Sequence, residues 1–197
     1  MNVILDINCG NPIPKETLLD KAAFCQIYKF LMKDMRAYGL SLTSTEEHVR
    51  DAIQDVFFRI YEKPRDFENL KQLKFFLLHS LRNRIYDIYR KDRRLTGLDD
   101  FTLEVTVHPS TLENILEKEE QRMLRQKVAR LLDKLSGNQK EIIYLHYMQG
   151  MSYKEIATMM NAEPTAIRKV SSRAIQKLRK EELSVSFLLL FLSDILK

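Results

Sequence analysis

The chain has 197 residues, and its 32 Lys and Arg against 27 Asp and Glu leave a formal charge of +5. At roughly 100–200 residues per domain this admits one large domain or two small ones, while 45% hydrophobic residues exclude global disorder. Five Gly and five Pro are too few for a turn-rich sandwich or barrel, so an all-α fold is expected.

Helix signals follow one another along the chain. Pro14 suits a first helical turn, and Leu18, Ala22, Cys25 and Phe30 follow at helical spacing up to Gly39, which is expected to end the helix. Ser44-Thr45-Glu46-Glu47 reads as a capping box opening a second helix to about Tyr61. Its apolar stripe is Val49, Ile53, Val56, Phe57 and Ile60, and Pro64 stops it. Asn69 with Gln72 starts a third, long helix through about Arg93, with Leu70, Leu73, Leu77, Leu81, Ile85 and Ile88 on its core face.

Residues 95–109 lack a helical period, contain Gly97 and Pro109, and gather Asp99, Asp100 and Glu104. They read as an interdomain linker, with a short strand over 102–107 as the alternative. Helices then resume. Ser110-x-x-Glu113 opens one to about Lys134, and Ser136-x-x-Gln139 opens another that ends near Gly150. Ser152-x-x-Glu155 opens a short one ending at Asn161, and Pro164 opens one to about Glu182. The expected organisation is two small helical domains, 15–94 and 112–182, joined by a flexible linker at 95–111 and followed by an apolar tail at 183–197.

Two helix faces carry chemistry. On a wheel of residues 70–94, the side opposite the aliphatic set holds Phe75, His79, Arg82, Asn83, Tyr86, Arg90 and Arg93. Arginines hold phosphates and aromatic rings stack unpaired bases, which is the pattern a single strand of nucleic acid needs. A charged, solvated face whose Phe75 and Tyr86 pack on a neighbouring helix is the competing reading. Residues 152–174 have a helix-turn-helix layout, with Asn161 at the turn, where a left-handed backbone is tolerated. The second helix sets Ile167, Val170, Ala174 and Leu178 on one face and shows Thr165, Arg168, Lys169, Ser172, Arg173 and Gln176 on the other, a set suited to the major groove. An ordinary helical hairpin is the alternative.

Cys9 and Cys25 are the only cysteines and neither has a neighbouring His, so no disulfide framework and no metal site is readable. His48, His79, His108 and His146 have no partners at ligand spacing. With no Gly-rich nucleotide loop or nucleophile motif either, no cofactor and no enzymatic activity are expected. The N-terminus lacks a signal-peptide pattern, and the longest apolar stretch, 183–196, is short for a membrane span and broken by Ser184, Ser186 and Asp194. A cytoplasmic protein without stable membrane insertion is expected.

Three motifs together resemble a family. Asp51-Ala-Ile-Gln54-Asp55-Val-Phe-Phe-Arg-Ile-Tyr61 is similar to the D-x-V-Q-[DE]-V-F-x-[RK]-[LI]-[WY] segment of region 2 in bacterial RNA polymerase sigma factors. Phe76 through Lys91 resembles the [WY]-L-x-x-x-x-R-N-x-x-x-D-x-[LY]-R-[RK] segment that follows, with Arg82, Asn83, Asp87 and Arg90 in place. Met151-Ser-Tyr-Lys-Glu-Ile-Ala echoes L-S-Y-x-E-I-A of region 4. The short chain with no sizeable domain between these regions resembles the extracytoplasmic-function (ECF) group of the sigma-70 family, over about residues 20–182.

The resemblance implies a non-enzymatic factor that binds core RNA polymerase and directs promoter recognition and opening. It implies that Asp51, Gln54 and Asp55 grip the clamp coiled coil of the largest polymerase subunit. It places Arg82, Asn83, Tyr86 and Arg90 near the melted -10 element, and assigns -35 duplex reading to Thr165, Arg168, Lys169, Ser172 and Arg173. The acidic linker would follow the RNA exit path, its charge mimicking RNA. An anti-sigma factor is an implied partner, and the apolar tail would dock on its own second domain, on the first, or on that partner. Glu163 and Asn161 stand where a Ser cap and a turn Gly are frequent, and Phe76 and Tyr61 where Trp is frequent, so a promoter sequence does not carry over. A helix-turn-helix regulator acting without core polymerase is the alternative function.

Overall fold

A computed structural model describes residues 10–96, 132 and 134–179, with the backbone alone for 92–96. The chain divides into two compact units, residues 1–101 and 102–197. The expected helix from Ser110, the acidic cluster, the strand alternative and the apolar tail lie outside the described residues. Both units are α-helical, as expected; the sole pairing of extended backbone among the described residues is an isolated bridge between Ile13 and Phe67.

The first unit is built from α1 (Lys15–Leu19), α2 (Lys21–Leu42), α3 (Glu46–Glu62) and α4 (Leu70–Thr96). The last three pack on one another around Ile27, Leu31, Met35, Ile53, Phe57, Leu77, Leu81 and Ile85, all buried. The α3 stripe read from sequence is buried throughout. The stripe expected for the first helix is not. Asp20 leaves the helical conformation, and its Oδ1 accepts from Ala23 N at 2.7 Å. This cap divides one expected helix into α1 and α2, so a stripe continued from Leu18 runs out of phase. Ala22, Cys25 and Phe30 are exposed, and Ala23, Ile27, Leu31, Met35 and Tyr38 take the core positions.

Gly39 does not end α2, which runs to Leu42. The glycine is buried inside the helix, where a Cβ would stand 2.5 Å from Val49 Cγ1. It marks close approach of α3 rather than a stop. The capping box at Ser44–Glu47 does not form either. Thr45 is the N-cap of α3 and makes no side-chain cap bond. With Thr45 there, the third helical residue is His48, which cannot complete a box. Thr43 Oγ1 instead accepts from Thr45 N at 3.1 Å and also pairs with the Tyr89 hydroxyl of α4.

The α3–α4 connection is tied to the N-terminal segment. Ile13 and Phe67 exchange backbone hydrogen bonds at 2.8 and 2.9 Å, and Lys15 N donates to Asp66 Oδ1 at 2.8 Å. Asn69 Oδ1 accepts from Gln72 N at 2.9 Å and Gln72 Oε1 from Glu68 N at 2.7 Å, the expected start of α4. The helix continues to Thr96, two residues into the segment read as linker.

The second unit contains α5 (Gly137–Ile143), a π-helical turn (Tyr144–Met148), α6 (Tyr153–Met160) and α7 (Pro164–Arg179). Both capping boxes, Ser136 with Gln139 and Ser152 with Glu155, are complete. The single helix expected from 136 to 150 is an α-helix that passes into π geometry before Gly150, which has φ +66°. Asn161 closes α6 in the left-handed conformation, φ 51° and ψ 52°. The core holds Leu135, Ile143, Leu145, Ile156, Ala157, Ile167, Ala174 and Leu178, and Lys140, Glu141 and Ser171 are buried with them.

Candidate nucleic-acid and partner interfaces

The long amphipathic run of α4 buries its aliphatic side in the first unit and turns the aromatic-arginine side outward. Asn83 and Arg90 are exposed, and Phe75, His79, Arg82 and Tyr86 are half-buried. Arg82 lies 4.4 Å from the Tyr86 ring centroid, and its Nη2 donates to the Tyr86 hydroxyl at 3.1 Å. This holds a flat ring beside a guanidinium, the combination that accepts an unstacked base next to its phosphate. The Phe75 and His79 rings lie 5.9 Å apart, one turn back along the same face. Burial, with the Arg82 charge adding, pulls the His79 pKa below its ordinary 6.5, so the imidazole is neutral at pH 7. Arg90 reaches Asp87 at 3.7 Å, a surface pair of little energetic consequence. The Arg93 side chain lies outside the described ones.

Two contributors escape a single-helix wheel. Arg65, in the loop before α4, lies 3.5 Å from the Phe76 ring centroid and 5.2 Å from that of Phe67. Burial against the fold lowers its pKa below the usual arginine value. Tyr89 anchors α4 to the turn before α3 through Thr43, and its ring meets His48 edge-on at 5.7 Å. The Arg65–Phe76 and Tyr89–Thr43 pairings join residues of different elements, so no helical period signals them.

On α3, Asp51 and Gln54 are exposed, whereas Asp55 is half-buried. Its Oδ2 accepts from Arg84 Nε of α4 at 2.5 Å. Phe58 and Tyr61 are 58% and 43% exposed. At helical spacing they continue the stripe of Asp51 and Gln54. Their apolar exposure was absent from the sequence-based set, although that spacing points to it.

On α7, Thr165, Arg168, Lys169, Ser172, Arg173 and Gln176 are all exposed, opposite buried Ile167, Ser171, Ala174 and Leu178. Arg168 lies 5.7 Å from the centroid of the Tyr153 ring of α6. A shallow cavity of about 270 Å³ opens beside this contact, lined by Tyr147, Tyr153, Arg168, Ser171 and Arg179 among others. Burial pushes the Tyr147 hydroxyl pKa up, and the neighbouring Tyr153 hydroxyl adds to it. Among the described residues, no group of three His, Cys, Asp or Glu could hold a metal ion, and no helix is long and apolar enough to cross a membrane.

An aromatic-arginine helix in one unit and a helix-turn-helix with a basic second helix in the other define a two-module nucleic-acid-binding protein of the transcription class. Comparison with known proteins narrows this. Residues 27–95 match the family described as Sigma-70 region 2, and residues 125–178 match Sigma-70, region 4. The ECF RNA polymerase sigma factor SigM of Bacillus subtilis (strain 168) is 24% identical over 155 residues, covering 78% of this chain and 91% of its own. SigX of the same organism, also an ECF RNA polymerase sigma factor, is 22% identical over 161 residues, covering 80% and 82%. Among solved structures, the sigma factor RpoE in complex with the anti-sigma factor NepR from Bartonella quintana is 28% identical, with a TM-score of 0.56. That match covers 80% of this chain and 94% of RpoE. The chain belongs to the sigma-70 family, and within it to the ECF group of sigma factors.

Proposed function

We propose that this sigma factor binds core RNA polymerase and directs it to promoters whose -10 and -35 elements are read by the first and second units. The observation that carries this is the presence, in order in one chain, of a region 2 fold and a region 4 fold. A helix-turn-helix regulator acting alone has no use for the α3 stripe or for the ring-and-guanidinium face of α4.

In this reading Asp51, Gln54 and Asp55 contact the polymerase clamp, where carboxylates and an amide meet basic side chains. Phe75, His79, Arg82, Asn83, Tyr86, Arg90 and Arg93 receive the non-template strand at -10. Stacking a base on Tyr86 offsets the few kcal/mol that unstacking costs, which permits opening without nucleotide hydrolysis. Thr165, Arg168, Lys169, Ser172 and Arg173 meet the -35 duplex, α7 lying in the major groove. The working segments are 15–94 for polymerase and -10 binding, 95–111 as linker, 112–182 for -35 binding, and 183–197 as a separate apolar tail. The protein has no catalytic residue of its own and works in the cytoplasm. An anti-sigma factor is its expected regulator, RpoE of Bartonella quintana having been solved with one.

The test is transcription of a genomic fragment library by core enzyme with and without the purified protein. The expected result is co-elution with core enzyme and a set of dependent transcripts sharing two spaced elements. Duplex binding without co-elution or transcripts would establish the stand-alone regulator instead.

A further inference from the structure

The π-helical turn does more than connect α5 to the helix-turn-helix. A π turn shifts the phase of the helix at one point. Here its bonds run from Gln149 N to Tyr144 O, and Met151 N closes on Leu145 O. The consequence is that two successive residues, His146 and Tyr147, both reach α6. The His146 ring stacks on Tyr153 with centroids 4.1 Å apart and planes at 20°. Tyr147 meets His146 edge-on at 4.7 Å.

His146 is itself held. Its Nδ1 stands 2.7 Å from the Met151 carbonyl oxygen. A carbonyl can only accept, so Nδ1 carries the proton and the ring orientation is set by the turn. Tyr153 is held in addition at its hydroxyl, 3.3 Å from Ser171 Oγ in the floor of α7. The ring so fixed is the one that Arg168 faces at 5.7 Å. Arg168 is otherwise exposed, and a solvent-exposed arginine with no neighbour samples many rotamers. A guanidinium gains its base selectivity from a fixed fork aimed at acceptor atoms.

We propose that His146 and Tyr153 are positioning residues that aim Arg168, so that the π-helical turn sets base preference at the -35 element. This rests on the reading of α7 as the -35 helix. Neither residue touches the bases in this scheme. Both act through the direction of the arginine.

The experiment selects bound sequences from duplex pools randomised over the -35 element, using the full chain with core polymerase. Arg168→Ala first identifies the base pair that Arg168 reads. His146→Gln keeps a donor for the Met151 carbonyl and removes the ring, and Tyr153→Leu removes the other half of the stack. Both are expected to lower discrimination at that base pair by about tenfold, leaving preferences elsewhere in the element intact. Tyr153→Phe keeps the ring and is expected to retain discrimination. His146→Gln added to Arg168→Ala is expected to change nothing further. Unchanged preference in His146→Gln and Tyr153→Leu would overturn the proposal. So would a uniform loss across the element accompanied by a lowered melting temperature, or a loss in Tyr153→Phe equal to that in Tyr153→Leu. A wild-type protein that selects no -35 sequence would overturn the -35 reading together with it, which separates the two failures.

Discussion

Arg84 Nε donates to Asp55 Oδ2 at 2.5 Å, so the helix proposed to face polymerase is bonded to the helix proposed to face the melted strand. The Arg84 and Asp55 side chains are 32% and 40% exposed, which keeps the pair's contribution to stability within about 1 kcal/mol. Arg84→Ala is therefore expected to shift the melting temperature little. It releases the Asp55 carboxylate to rotate, so polymerase affinity should change more than stability does. Asp55→Ala removes the acceptor altogether and should weaken core binding further. Calorimetry of the full chain alongside titration of core enzyme checks both.

Tyr86→Ala combined with Arg82→Ala removes the ring-and-guanidinium pair from α4 while leaving its buried side intact. Loss of one stacked base is worth about 1–3 kcal/mol. Promoter opening, followed by permanganate reactivity of unpaired thymines, should fall about tenfold or more, and initial duplex binding should fall much less. Equal loss of both would argue against strand capture.

Gly39→Ala is expected to destabilise the first unit by about 1–3 kcal/mol. The added Cβ would stand 2.5 Å from Val49 Cγ1, so α2 and α3 must separate. The gain in helix propensity, about 1 kcal/mol, does not offset this. Val49→Ala in the same chain makes room and should recover part of the loss. Thermal unfolding of the single and double variants measures it.

The His79 pKa is lowered in the folded protein, chiefly by burial and then by Arg82. Below the ordinary value of 6.5 the unfolded chain then binds a proton that the folded chain resists. This contribution to stability is fully present above about pH 6.5 and falls as the solution is acidified through that value toward the lowered folded pKa. His79→Gln should flatten the fall in stability between pH 7 and pH 5, measured by urea unfolding at a series of pH values. A slope unchanged by the substitution would show that His79 does not titrate as its surroundings dictate.

Lys169→Ala is expected to weaken -35 duplex binding nearly uniformly over sequences and to reduce the salt slope by about one, as a phosphate contact does. Arg173→Ala should instead relax preference at one base pair. Binding measured over a range of salt concentrations on matched and mismatched duplexes separates the two roles.

Much of this protein is determined locally. The capping boxes at Ser136 and Ser152 and the start of α4 at Asn69 are fixed by side chains that bond backbone within four residues, and the turn at Asn161 takes a left-handed backbone that Asn tolerates. Sequence alone therefore specifies them. The exposed face of α7 follows in the same way from helical period, since one buried side determines the other. The tertiary structure decided what depends on distant partners. Gly39 reads as a stop in isolation and becomes a point of contact only because Val49 packs against it. Asp55 reads as a free carboxylate until Arg84 arrives from 29 positions away. The stripe expected through Ala22, Cys25 and Phe30 failed because one carboxylate, Asp20, ended a helix early and changed its phase. The charge of +5 names no partner by itself and is divided among faces for which separate tasks are proposed. Sequence could locate those faces, because period is a local property. The direction of Arg168 and the pairing of Arg82 with Tyr86 required the packed chain, because an exposed side chain takes its orientation from its neighbours.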